Sequence, residues 1–86
     1  DVYKRQAAYQ ANQDKPVVLA TSALEGAAAL TVTYHGSAGE SLTRNMTWNA
    51  TRSRWQKSIK DFSSRFGFVP VSVTVEGPEG SETAQM

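Results

Sequence analysis

The chain reads as an all-β sandwich of six to seven short antiparallel strands, and three observations point there. Apolar and polar residues alternate with period two in at least three separate stretches, most plainly at 28–35 and 69–75. Clusters of Gly, Ser, Asn and Pro interrupt those stretches roughly every eight to twelve residues, the spacing of a sandwich rather than of βαβ units. The length of 86 residues leaves room for a single small domain.

Taken in order, residues 1–15 form a polar lead expected to lie outside the fold, disordered or artefactual. Asp1 to Gln6 resembles the translated adapter remnant found at the ends of reading frames assembled from environmental DNA, and the absence of an initiator Met suits a fragment of something longer. The domain is expected over residues 16–86. Pro16 opens the run Val17-Val18-Leu19-Ala20-Thr21-Ser22-Ala23-Leu24, closed by Glu25-Gly26, as a first strand. Residues 28–34 then place Ala28, Leu30, Val32 and Tyr34 on one face and Thr31, Thr33 and His35 on the other. Gly36-Ser37-Ala38-Gly39-Glu40 is a turn cluster, so the chain should double back as a hairpin. On the return strand Leu42, Met46 and Trp48 continue the inward set, Thr43, Asn45 and Thr47 face out, and Arg44 is a misfit that an edge position would tolerate.

After the polar turn at 49–53, the period of the next stretch is ambiguous. As a strand, Trp55 and Ile59 point inward with Lys57 between them. As a helix, Trp55, Ile59, Phe62 and Phe66 form an amphipathic stripe ended by Gly67. The way Trp48 and Trp55 bracket a short turn, as a hairpin would, favours the strand. Residues 61–68 then become a loop crossing between sheets, its Phe residues plugging the edge of the core. Val69, Val71, Val73 and Val75 alternate with Pro70, Ser72 and Thr74 as a half-buried strand, so Val71 and Val73 should share one apolar layer with Leu30 and Val32. Glu76-Gly77-Pro78-Glu79-Gly80 is a tight turn, and residues 81–86 begin a further strand that stops at the chain end, as in a truncated domain.

No cysteine is present, which excludes disulfides, zinc fingers and thiol nucleophiles, and no apolar run is long enough to span a membrane. The formal charge of +1 hides an asymmetry. Arg44, Arg52, Arg54, Lys57, Lys60 and Arg65 face only Asp61 over residues 44–65, while Glu76, Glu79 and Glu82 stand in a tail without cations. A basic segment attracts anionic polymers, but no phosphate loop or aromatic-basic RNA motif accompanies it, so nucleic acid is not an expected partner. His35 has no second ligand at matched spacing, and Glu25, Glu40, Glu76 and Glu79 lie in turns. No catalytic residue, cofactor or metal is therefore expected. Trp55, Arg52 and Arg54 are the candidate ligand contacts, with Trp48 and Trp55 weighed also as core filling.

The succession Pro16-Val17-Val18, Ala29-Leu30-Thr31-Val32-Thr33-Tyr34, Met46-Thr47-Trp48-Asn49-Ala50-Thr51 with Trp55, and Pro70-Val71-Ser72-Val73-Thr74-Val75-Glu76-Gly77-Pro78-Glu79-Gly80 resembles bacterial immunoglobulin-like or fibronectin-type-III-like domains. The resemblance implies an immunoglobulin-like β-sandwich from a surface, secreted or phage tail protein. It implies a non-catalytic spacer or interaction module at the cell surface, outside the cell or on a virion, adhesins included. Neighbouring domains of the same polypeptide would be its partners, along with polysaccharide or a host surface. It transfers no site, and the inter-sheet cysteine pair of antibody domains is missing. Two other functions are compatible with the residues: a carbohydrate-binding accessory module of a secreted polysaccharide-active enzyme, and an α+β domain whose basic helix over 52–66 binds an anionic partner.

Overall fold

The structure, a computed structural model, describes residues 4–86; Asp1–Tyr3 of the lead lie outside the described residues. Among the described residues eight strands run in chain order: β1 (Lys4–Gln10), β2 (Lys15–Thr21), β3 (Thr31–Gly36), β4 (Ser41–Asn45), β5 (Thr47–Asn49), β6 (Arg54–Ser58), β7 (Pro70–Gly77) and β8 (Gly80–Gln85). An α-helical turn, α1 (Phe62–Phe66), joins β6 to β7, and short 3-10 turns lie at Ala11–Gln13 and Glu25–Ala27. The strands form two antiparallel four-stranded sheets, ordered β1-β2-β6-β5 and β4-β3-β7-β8. The all-β sandwich read from the sequence is the fold.

Local alternation accounts for most of this. Ala28, Leu30, Val32 and Tyr34 are all buried, whereas Thr31, Thr33 and His35 are only partly covered on the opposite face. In β2 the same rule turns Pro16, Val18 and Ala20 inward and leaves Val17 and Leu19 half-buried on the outside. Trp48 pairs with Trp55 across the β5–β6 hairpin, which settles residues 54–58 as strand. A helix over 52–66 is therefore corrected: helix is confined to Phe62–Phe66.

Four further expectations are revised. The lead is not outside the fold, because Lys4–Gln10 pairs with β2 from Lys4↔Thr21 to Gln10↔Lys15 and packs Ala7 against the core. The single return strand splits at Met46: Asn45 pairs with Thr31 in one sheet and Thr47 with Gln56 in the other. The Met46 amide donates to the Leu30 carbonyl at 2.9 Å and its side chain is buried between the sheets, so this one residue carries the crossing. Those two changes raise the strand number to eight.

The third revision concerns β7. His35 pairs with Ser72 but Gly36 pairs with Pro70, so Val71 is an extra residue, a β-bulge. Parity reverses on the N-terminal side of the bulge. Pro70 turns inward, and Val69 and Val71 are 47% and 42% exposed while Val73 and Val75 are fully buried. Val71 thus does not share the layer of Val73, Leu30 and Val32.

The fourth is the crossing at 61–68, which contains a helical turn. Its cap comes from far away in sequence. The Phe62 amide donates to the Asp14 carbonyl at 2.8 Å, and the Asp14 carboxylate accepts from the Ser63 amide at 3.0 and 3.1 Å, the Ser63 hydroxyl at 2.8 Å and the Ser64 amide at 3.3 Å. The Tyr9 hydroxyl donates to the same carboxylate. These donors, Tyr9 first, hold the Asp14 carboxyl below its ordinary 3.8, at about 2. Gly67 closes α1 with φ of 81°, a left-handed conformation that glycine adopts without a steric penalty. So anchored, α1 inserts fully buried Phe62 against Tyr34, Phe66 and Phe68, at ring separations of 4.9, 4.9 and 5.1 Å. The expected aromatic plug is present.

Connections gather at two poles. The β2–β3 connection and the β5–β6 and β7–β8 turns lie at one, the loop pole, tied by the Ser22 hydroxyl donating to Glu79. The β1–β2 turn, the β3–β4 turn and α1 lie at the other.

Candidate functional site

The outer face of the β1-β2-β6-β5 sheet carries the best-formed depression that includes a residue singled out from sequence. Strand alternation around Trp55 sends Arg54, Gln56 and Ser58 outward, where β2 contributes Val17 and Leu19 and β5 contributes Thr47. Together they line a groove of about 320 Å³. It continues over Gln6 and Ala8 of β1 into a second shallow cleft of about 350 Å³. Floor chemistry is mixed: the aliphatic surface of Val17 and Leu19 lies beside amide, hydroxyl and guanidinium groups.

Within the groove two polar groups are differently placed. Gln56 accepts a hydrogen bond from the Asn49 side-chain amide at 3.1 Å, which fixes its orientation and leaves its own NH₂ to donate. The Arg54 Nε atom is buried and has no hydrogen-bond partner among the described residues. A buried donor without a partner costs free energy unless an acceptor is supplied. The Gln56 NH₂ can hold an oxygen acceptor beside an apolar surface.

The three sequence candidates do not converge. Trp55 is 7% exposed and faces the core, its ring 5.6 Å from that of half-buried Trp48, so it is a packing residue and not a contact for ligand. Arg54 lines the groove. Arg52 sits exposed in the β5–β6 turn, where its amide donates to the Asn49 side-chain oxygen at 3.2 Å. Val17 and Leu19 were not legible as site residues, because an apolar pair inside a strand reads as core. Only the parity of neighbouring Val18 could have turned them outward.

The opposite outer face has another character. Thr43, Thr33, Thr74 and Thr83 form one row across the β4-β3-β7-β8 sheet. Thr33 bonds Thr43 at 2.8 Å, Thr74 bonds Thr83 at 3.0 Å, and His35 Nε2 bonds the Thr74 hydroxyl at 2.8 Å. His35 is thereby part of a surface ladder. At the loop pole, residues 27–29, Thr31, Pro78 and Ser81 border an open cleft. Among the described residues no three of His, Cys, Asp and Glu gather as a metal site, and no helix is long and apolar enough to cross a membrane. No family model matches the chain, and no curated protein or solved structure matches it.

Proposed function

We propose that the protein is a non-catalytic module of the immunoglobulin-like type, used as a spacer or interaction unit within a longer extracellular or virion polypeptide. The observation that carries this reading is the path of the chain. β1 starts at the loop pole, where Lys4 pairs with Thr21, and β8 ends at the opposite pole, where Gln85 pairs with Ser72. Copies joined in sequence would therefore stack end to end rather than fold back on one another. Strand order supports the type: β1-β2-β6-β5 against β4-β3-β7-β8 corresponds to the ABED and C′CFG sheets of immunoglobulin-like sandwiches. The departures are the place of the tryptophans, on the D and E equivalents instead of C, and the helical turn between the E and F equivalents.

Small-angle scattering of two copies joined directly tests the reading. An elongated particle of roughly double the 34 Å long axis is expected; a side-by-side pair no longer than one copy would refute it. Accessory binding to neutral polysaccharide is the rival. Its usual stacking platform is an exposed aromatic, and both tryptophans face inward here. Tryptophan fluorescence should not respond to insoluble glucans or chitin, and a saturable response would favour the rival.

A further inference from the structure

Phe66 carries a guanidinium from each of two segments. The Arg44 guanidinium lies 5.4 Å from the ring centroid and the Arg65 guanidinium 5.2 Å from it. Arg44 reaches that place because it shares the inward parity of its ladder partner Val32 at an edge strand, so its stem leaves by the side of the sandwich, where α1 supplies the ring. Its Nη1 donates to the Thr43 carbonyl at 2.9 Å, which fixes one edge of the fork. Among the described residues neither guanidinium meets a carboxylate. Tyr34, fully buried, has a hydroxyl without a hydrogen-bond partner among the described residues. Burial pushes its pKa up, and the charge of Arg44 acts against that rise. Two like charges thus rest against one ring, with no counter-ion among the described residues.

We propose that Arg44 and Arg65, both resting on Phe66, bind the sulfate or carboxylate groups of an acidic polysaccharide. The guanidinium fork matches the paired oxygens of either group. The surroundings select the kind of polymer. Exposed Ser41 and Asn45 on β4 and Ser64 on α1 offer hydroxyls and an amide to sugar oxygens. A single-stranded nucleic acid needs an open aromatic for base stacking, and the Phe66 ring is taken by the two arginines. An acidic peptide would need an exposed apolar anchor at the centre of its interface, and the exposed large apolar side chains, Leu24, Val69 and Val71, lie on other segments.

An NMR titration of the full chain at low salt, with a heparin-derived oligosaccharide in one arm and an oligogalacturonate in the other, tests this. Shifts should centre on β4 and α1. Arg44→Gln and Arg65→Gln should each weaken binding by roughly tenfold, and Arg52→Gln, the same charge change at the loop pole, by no more than about twofold. Binding of heparin alone assigns sulfate, and binding of galacturonate alone assigns carboxylate. The proposal fails if neither polymer binds, if Arg52→Gln costs as much as Arg44→Gln, if shifts centre on Arg54, or if single-stranded DNA binds as tightly. Should Arg44→Gln disturb the near-UV circular dichroism, Arg65→Gln carries the test. Failure here leaves the end-to-end reading intact, since that rests on scattering.

Discussion

Val71 and Val73 are identical in residue type and in sequence parity, and the β7 bulge alone separates their fates. Truncating Val73 to Ala removes two methyl groups from a site with 0% exposure. At about 0.8 kcal/mol per buried carbon, plus the cavity left in a core that collapses only partly, the cost is about 2 kcal/mol. The same truncation at Val71 acts on a side chain 42% exposed, beside the Val71 carbonyl that accepts from the Met86 amide at 3.0 Å, a bond the substitution keeps. Its cost should be about 0.5 kcal/mol or less. Urea unfolding followed by tryptophan fluorescence separates the two: with a slope of about 1 kcal/mol per molar for a domain of this size, the Val73 variant should lose about 2 M in midpoint and the Val71 variant under about 0.5 M. Equal shifts at unchanged slope would refute the bulge and restore an uninterrupted strand with both valines in one layer.

Phe62→Ala, which empties a fully buried site touching three aromatic rings, should cost about 3 to 5 kcal/mol, enough to leave little folded protein by circular dichroism at 37 °C. The Asp14 carboxyl titrates at about 2 in the folded chain against an ordinary 3.8, so its contribution is complete above the unfolded value and lost as pH falls from there through the folded one. Thermal midpoints of wild type should fall over that acid window, those of Asp14→Asn should start lower and fall less, and parallel curves would show that the carboxylate does not hold α1. A Cβ at Gly26 would lie 2.9 Å from Trp48 Nε1 and 3.1 Å from Cε2, so Gly26→Ala should displace the indole and alter tryptophan emission; an unchanged spectrum would mean that this connection does not press on Trp48.

The parts of this fold legible in sequence are those whose cause is local. Alternation at 28–35 places every residue on its correct face, because the period of a strand needs no information from elsewhere. The Trp48–Trp55 hairpin follows from the polar turn it brackets. What could not be read depends on distant partners. Asp14 caps α1 across nearly fifty residues, the β7 bulge arises where Pro70 meets Gly36 on another strand, and the change of sheet at Met46 preserves parity and so leaves no trace in the pattern. β1 was missed for a different reason: an edge strand covers little of the core, and Ala7 against Ala8 gives almost no contrast between faces. The same logic governs the sites. Arg54 could be turned outward from its neighbour Trp55, but the groove it lines needs β2, and the pairing of Arg44 with Arg65 needs the placement of α1.

The two outer faces differ in what they have left to give, and that difference bears on where binding can occur. On the β4-β3-β7-β8 sheet, the central hydroxyls of Thr33, Thr43, Thr74 and Thr83 already bond one another in pairs, with His35 joined to Thr74. A partner laid on that row would have to replace bonds that exist, for a net gain near zero. On the β1-β2-β6-β5 sheet, and along the side where α1 meets β4, the reverse holds. Gln56 keeps its NH₂ to donate, Val17 and Leu19 keep apolar surface partly in water, and Arg44 and Arg65 lack counter-ions among the described residues. Contact there adds interactions without breaking any. Association should therefore fall on those two surfaces, while the threonine face suits exposure to water between partners.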